Sequence, residues 1–146
     1  MNTISFLKPD DLPEVWQIEQ ASHAFPWTEK TLNSNQGDRY LNLKLSVDNT
    51  IAAFAITQVV LDEATLFNIA VHPDFQRRGL GRELLQHLID ALIQRDVMTL
   101  WLEVRASNLA AIELYRAFDF NEVTVRKGYY PAAEGREDAV IMALTL

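Results

Sequence analysis

Two side chains in the second half of the chain are of types that move protons. Glu103 sits in the run Trp101-Leu102-Glu103-Val104-Arg105, and Tyr115 lies twelve positions on, in a stretch with helical spacing. Leu100, Leu102 and Val104 alternate with Trp101, Glu103 and Arg105, the period of a strand. The segment follows one helical stretch and precedes another, so both strand faces are expected to be covered. A carboxylate desolvated beside an indole has a raised pKa and serves as a general base. A salt bridge with Arg105 on a half-exposed face explains the same letters. Tyr115 shares the apolar side of its helix with Leu109 and Ile112, where a tyrosine is ordinarily core with its hydroxyl bonded. Asn108, at the start of that helix, is an ordinary cap.

The other candidate is a stretch that could hold an anion: Gln76-Arg77-Arg78-Gly79-Leu80-Gly81-Arg82. Before it runs an apolar, strand-like segment, Leu66 to Val71, and a turn with His72, Pro73 and Asp74. After it, Leu80, Leu84, Leu85, Leu88, Ile89, Leu92 and Ile93 recur at helical spacing. The unpaired N–H groups and positive dipole end of a helix start attract anions, glycines allow close backbone approach, and arginines grip phosphates bidentately. That combination reads as a pyrophosphate cradle. It is neither a Walker loop nor the dinucleotide fingerprint, since no Gly-Lys-Ser/Thr and no third glycine follow. A tight strand-to-helix turn with solvated arginines would look the same on the glycines alone.

The elements that must position these groups can be read in order. Thr3 to Phe6 reads as a strand, and Asp11 with Glu14 as a capping-box-like start to a helix reaching about His23. Phe25-Pro26-Trp27-Thr28 breaks that helix, and Thr28 can cap a short second one through Leu32. The aromatic pair there reads either as substrate wall or as packing. Leu41 to Val47 alternates as a strand, Asp48-Asn49 turns the chain into the apolar run Ile51 to Leu61, and Asp62-Glu63 turns it again. In the next strand Ala64 and Leu66 share one phase and Phe67, Ile69 and Val71 the other. A β-bulge gives such a slip, and so does burial on both faces. Helices over Leu80 to Gln94 and Asn108 to Phe118 flank a strand at Thr99 to Val104. Strands at Asn121 to Arg126 and Ala139 to Leu144 enclose a loop with Gly128, Tyr129, Tyr130, Pro131 and Gly135. The order βααβββαβαββ is an α/β (α+β) arrangement, a mixed sheet of about seven strands flanked by about four helices.

Composition narrows the choices. A chain of 146 residues, 49% hydrophobic, is expected to form one domain over 1–146. The absence of cysteine excludes disulfides, thiolate metal sites and a cysteine nucleophile. His23, His72 and His87 have no metal-ligand spacing and read as structural or solvated, so no metal is expected. No signal peptide or spanning segment is apparent, and a cytoplasmic location without membrane contact is the expectation. A net charge of −7 argues against nucleic acid and suits a basic partner.

The run Ile69-Ala70-Val71-His72-Pro73-Asp74-Phe75-Gln76-Arg77-Arg78-Gly79-Leu80-Gly81 resembles the acetyl-CoA-binding motif of the GNAT superfamily of N-acetyltransferases, Gln/Arg-x-x-Gly-x-Gly/Ala. With Phe25-Pro26-Trp27-Thr28, Trp101 to Arg105, Ser107-Asn108, Tyr115, and Tyr129-Tyr130-Pro131 through Asp138, nearly the whole chain is similar to the RimI-type family within it. That family acetylates the N-terminal alanine of the eighteenth protein of the small ribosomal subunit. The resemblance implies the GNAT fold, Glu103 as base and Tyr115 as acid, near the thioester sulfur. A phenol of pKa about 10 can protonate a thiolate whose thiol titrates near 8.5. It implies that Ile69, Ala70, Val71, Arg77, Arg78, Gly79, Leu80, Gly81 and Arg82 hold acetyl-CoA, with Asn108 on the CoA chain. Phe25, Trp27, Tyr129, Tyr130, Glu137 and Asp138 would face a ribosomal protein substrate with a basic N-terminal tail; a monomer is expected. Asp62, Glu63, Glu134, Glu137 and Asp138, read as turn and loop residues, would form an acidic rim if they gather at one end of the sheet. Phe118-Asp119-Phe120 departs from the usual Leu-Gly-Phe, and aspartate tolerates the left-handed cap this requires. A small-amine acetyltransferase and a non-catalytic acyl-CoA sensor are the alternatives.

Overall fold

The longest helix, α3, runs from Leu80 to Gln94, the range the apolar spacing predicts. Leu80, Leu84, Leu85, Leu88, Ile89 and Leu92 are buried along one stripe, each contributing about 1.5–3 kcal/mol of apolar transfer free energy. Ile93 falls off the stripe and is half exposed. In the computed structural model, which describes residues 1–146, α3 packs on a seven-stranded sheet. The preceding elements are β1 (Asn2–Phe6), α1 (Leu12–Ser22), α2 (Glu29–Ser34), β2 (Leu43–Val47), β3 (Thr50–Val60) and β4 (Glu63–Val71). β5 (Thr99–Arg105), α4 (Leu109–Ala117), β6 (Asn121–Pro131) and β7 (Arg136–Thr145) follow. The order of elements is the expected one.

Across the sheet the strands lie β1-β2-β3-β4-β5-β7-β6, and only the β4–β5 pair is parallel. A parallel pair needs a crossover, which α3 supplies. One face of the sheet is covered by α3 and α4 over a 24-residue apolar cluster. The other is covered by α1 and α2 over a smaller one built on Val15, Ile18, Leu32, Phe54 and Ile56.

Local chemistry explains most turns. Asp48 and Asn49 both have positive φ, 48° and 71°, the two-residue hairpin turn their side chains tolerate. Thr28 caps α2 by accepting from the Thr31 N–H at 3.1 Å, and α2 extends to Ser34. Asp11 does not cap α1; its carboxylate accepts from the Lys8 N–H at 2.8 Å and from Lys44 Nζ at 2.7 Å, closing a 3₁₀ turn instead. The turn after β3 is Leu61-Asp62, so Glu63 already belongs to β4.

Two expected boundaries are corrected at the C-terminal side. Tyr129, Tyr130 and Pro131 belong to β6, and Glu137 and Asp138 to β7. β6 is the edge of the sheet and is interrupted at Val123 and between Arg126 and Tyr130, where Gly128 has φ 57°. Glycine at a bulge and proline at an edge cost the ladder nothing, so the strand passes through residues that read as a loop. Leu109, expected on the buried side of α4, is 67% exposed.

α4 ends as the departure at Asp119 requires. Asp119 has φ 71°, its N–H bonds to Arg116 O at 2.9 Å, and the Phe120 N–H reaches Tyr115 O at 3.1 Å. This is a Schellman end with aspartate where glycine is favoured. Asp119→Gly relieves the left-handed penalty and should stabilise the protein by about 1 kcal/mol, raising Tm by about 3 °C. An unchanged or lower Tm by calorimetry would show that the aspartate makes compensating contacts.

Candidate active site

The sheet is opened between its two parallel strands. Ile56 pairs with Asn68 but Thr57 pairs with Leu66, so Phe67 is an extra residue bulged out of β4. The bulge accounts for the phase slip in the sequence. The β4–β5 ladder runs from Glu63/Thr99 to Leu66/Leu102 and stops there. Beyond it β4 stays with β3 and β5 stays with β7, leaving a gap between them.

Backbone groups line this gap. The His72 N–H donates to Ala52 O at 2.8 Å, which fixes 52/72, 54/70 and 56/68 as the hydrogen-bonded pairs of the antiparallel ladder. Ile69 and Val71 fall between them, so their N–H and C=O groups point away from β3 and into the gap. Val71 O is met there by Ser22 Oγ at 3.2 Å and Gln76 Nε2 at 3.1 Å. Ala70 differs from its neighbours. Its backbone pairs with Phe54, and its side chain is buried under α1.

A cleft of about 830 Å³ passes through the opening. On the α3/α4 side its walls include Ile69, Leu102, Val104, Asn108 and Tyr115; on the α1/α2 side they include Glu19, His23, Phe25, Trp27, Asn68, Glu103 and Tyr130. Leu102, Val104 and Tyr115 belong to one apolar cluster, so Glu103, between the two β5 residues, points to the opposite face from Tyr115. The Glu103 carboxylate and the Tyr115 phenol thus approach the same gap from opposite sides. The face carrying Trp101, Glu103 and Arg105 is partly open, not covered as expected.

Glu103 Oε1 lies 3.5 Å from Arg126 Nη1 on β6, and Arg105, the partner expected from sequence, pairs elsewhere. Trp101 Nε1 donates to Glu63 at 3.2 Å. Burial, with Tyr130 adding to it, pushes the Tyr115 phenol up to about 12. Tyr130 is also pushed up to about 12, by burial and then by the Glu103 charge. Asn108 caps α4, its Oδ1 accepting from the Ala111 N–H at 3.2 Å.

Arg105 clasps the cleft mouth. Its Nη1 donates to Pro131 O at 2.6 Å and to Glu137 Oε1 at 2.9 Å, and its guanidinium lies 4.5 Å from the Tyr130 ring centroid and 4.9 Å from that of Phe25. The Arg105 hydrogen bond, then that of Ser107, holds the Glu137 carboxyl below its usual range. The clasp is therefore complete at neutral pH and is lost only as pH falls through that lowered value.

The helix-start loop lies at the α3 N-terminus. Arg77 and Gly79 have φ 65° and 77°, and nothing lies within 4 Å of where a Gly79 Cβ would be. Glycine there serves conformation. Arg78 lies over the Phe75 ring at 5.2 Å and Arg82 over Phe118 at 5.6 Å. The Leu80 side chain is buried, so only its backbone faces outward, and Gly81 packs beside Val71 and Leu114.

Several expected contacts are not brought together. Tyr129 meets Tyr130 edge to face outside the cleft, beneath Arg126 at 5.2 Å. Asp138 accepts from the Gly128 N–H at 2.9 Å and does not line the cleft. Asp62 and Glu63 stand at the start of β5 and Glu137 beyond its end, roughly 25 Å away at the strand rise, so no single acidic rim forms. Glu19, not singled out in the sequence, and His23, expected to be structural or solvated, also line the cleft. Glu19, 1% exposed, accepts from Asn68 Nδ2 and the Trp27 N–H, each at 2.8 Å, and His23 lies beside both Glu19 and Asn68. The only signal was an acid on the buried stripe of α1. No three His, Asp or Glu side chains converge as a metal set, and no helix is long and apolar enough to cross a membrane.

Comparison with known proteins agrees over the full length. Residues 3–120 match the model of the acetyltransferase (GNAT) family. A ribosomal protein bS18-alanine N-acetyltransferase from Salmonella typhimurium is 71% identical over 146 residues, covering 100% of this chain and 99% of that one. Its Escherichia coli counterpart is 67% identical with the same coverage. The crystal structure of the ribosomal-protein-S18-alanine N-acetyltransferase from Escherichia coli superposes with a TM-score of 0.98 at 68% identity, covering 99% of this chain and 94% of that one.

If Arg105 joins the two walls, Arg105→Ala should speed amide hydrogen exchange in both residues 24–27 and residues 128–135 while β5 stays protected. Faster exchange in one segment alone would mean that the clasp does not couple them.

Proposed function

The chain belongs to the GNAT acetyltransferase family, and from that premise we propose that it acetylates the N-terminal alanine of a ribosomal protein, that of the small subunit's protein bS18. The reading is carried by the through-sheet cleft, which admits a thioester from one face and an amine from the other, in a chain 71% identical to an enzyme of that name. The acetyl donor is acetyl-CoA, which supplies an electrophilic thioester carbonyl. The residues present fit it. Free Ile69 and Val71 N–H groups face the gap as donors for the acyl and pantetheine parts. The helix-start backbone from Gly79 to Arg82, with Arg77, Arg78 and Arg82, suits a pyrophosphate. Asn108 reaches the same wall through whatever its cap leaves free.

An α-amine of pKa about 8 arrives mostly protonated and must lose a proton before it attacks. Glu103 is the acceptor, and the incoming ammonium replaces Arg126 as its partner. Tyr115, with its phenol pushed up to about 12, keeps its proton throughout the physiological range. Full transfer to a thiolate of thiol pKa near 8.5 is about 5 kcal/mol uphill, so Tyr115 stabilises the departing sulfur chiefly by donating a hydrogen bond. Phe25, Trp27 and Tyr130 bound the space for the first residue, which favours a small one. A basic tail beyond it is favoured by the net charge of −7 and by Glu134, exposed at the mouth.

The direct test offers acetyl-CoA with alanine-first, serine-first and N-blocked peptides, lysine peptides and polyamines, and identifies products by mass spectrometry. Alanine-first peptides should react fastest and N-blocked ones not at all; preference for a polyamine would establish the small-amine alternative. Glu103→Gln should lower kcat about 10²–10⁴-fold at neutral pH with little change in acetyl-CoA Kd, the deficit shrinking as pH rises. A wild-type rate would leave Glu103 as no more than the Arg126 partner. For the tail, kcat/KM should rise with downstream arginines and fall with salt, and Glu134→Lys should weaken that preference. Equal rates on acidic and basic peptides at low salt would remove the electrostatic component.

A further inference from the structure

The α1 end of the cleft holds a carboxylate–imidazole pair that the transfer as described does not use. Glu19 is buried, and its orientation is fixed by the Trp27 N–H and by Asn68 Nδ2. Because Asn68 donates through Nδ2, its Oδ1 is left to face His23 Nε2 at 3.2 Å, with Glu19 Oε1 3.3 Å from the same nitrogen. Both neighbours are acceptors, so Nε2 carries the hydrogen. Nδ1 then holds the ring's lone pair and makes no hydrogen bond within the chain. A carboxylate behind one ring nitrogen and an open lone pair at the other is the arrangement of a proton acceptor. The imidazole side chain is 35% exposed, open to water, and lines the same cleft as Glu103.

The stoichiometry gives such a group a task. The amine enters as R–NH₃⁺ and leaves as an amide with one hydrogen; the N–C bond forms and the C–S bond breaks. Two protons therefore leave nitrogen. One is balanced by the proton that the released thiol carries, and the other must reach solvent. Glu103 accepts one at a time. We propose that His23, oriented by Glu19 and Asn68, receives the proton that Glu103 does not take and releases it to solvent through Nδ1. The proposal rests on the N-terminal acetyltransferase reading.

The charged surroundings leave this role to His23. On β5 and β7, Arg105 and Glu137 neutralise one another. Arg136 is bound to the Gly128 and Tyr129 carbonyls, and Glu134 stands exposed at the mouth. Tyr115 and Tyr130, both pushed up to about 12, stay neutral. Glu103 faces Arg126, which leaves Glu19 as the acid within reach of the imidazole.

The experiment compares wild type, His23→Gln and His23→Ala on acetyl-CoA and an alanine-first peptide. Glutamine can still donate to Asn68 but cannot take up a proton. His23→Gln should lose about tenfold or more in kcat at pH 7 with acetyl-CoA Kd unchanged, the deficit closing near pH 9 as free amine becomes abundant. Added imidazole should restore His23→Ala. A deficit equal at all pH values and untouched by imidazole, or no deficit, would overturn the proposal and leave the pair as a pin between α1 and β4. Inactivity of the wild type on every N-terminal peptide would instead overturn the functional reading beneath it.

Discussion

One extra residue in a strand sets the rest of the site. Phe67, bulged from β4, ends the parallel ladder at Leu66 and Leu102 and lets two neighbouring strands part inside an otherwise continuous sheet. Open backbone groups in a sheet interior are costly unless a ligand or side chain meets them. Here the opening leaves Ile69 and Val71 N–H groups facing a cleft, with only the Val71 carbonyl met from within the chain. The same opening connects the two faces of the sheet, so Glu103 and Tyr115, held in different layers, both face one cleft. Proximity of this kind substitutes for elaborate side-chain chemistry, since orienting amine against thioester removes much of the barrier by itself.

Holding the opening in shape falls to polar contacts between distant segments. On one side Glu19 joins α1, the Trp27 backbone and Asn68. On the other, Arg105 joins β5 to Pro131, Glu137 and the rings of Phe25 and Tyr130. Glu19 is a charge removed from bulk water and Arg105 one that is partly shielded from it, and each is well hydrogen-bonded, the condition under which such groups are tolerated. The Arg105 hub also occupies one of the acids that a chain of net charge −7 brings to its cleft, Glu137.

Much of this was legible in the letters, for physical reasons that differ by element. The α3 stripe, the Asp48-Asn49 turn and the αL position at Asp119 are local matters of periodicity and backbone sterics. The bulge was visible as a change of phase, although a doubly buried strand would have produced the same pattern. What could not be read depends on partners far along the chain. Gly128 and Pro131 signal a loop, and only their place on an edge strand makes them compatible with β6. Asp62 and Glu63 resemble Glu137 and Asp138 as acidic pairs, yet the sheet order sends them to opposite ends of β5. Glu19 and His23 enter the cleft through contacts across 49 and 45 residues of sequence to Asn68. The salt-bridge partner of Glu103 likewise comes from β6 and not from the neighbouring Arg105.

The central claim is that donor and acceptor meet through the sheet, between β4 and β5. A crystal structure with CoA joined through an acetyl linker to the amine of an alanine-first peptide tests it directly. The CoA portion should lie on the α3/α4 face with its pyrophosphate at the α3 N-terminus. The peptide should lie on the α1/α2 face between Phe25, Trp27 and Tyr130, and the linker should pass the gap within hydrogen-bond reach of the Ile69 or Val71 N–H. Both halves bound on one face, or a linker lying outside the gap, would contradict the account.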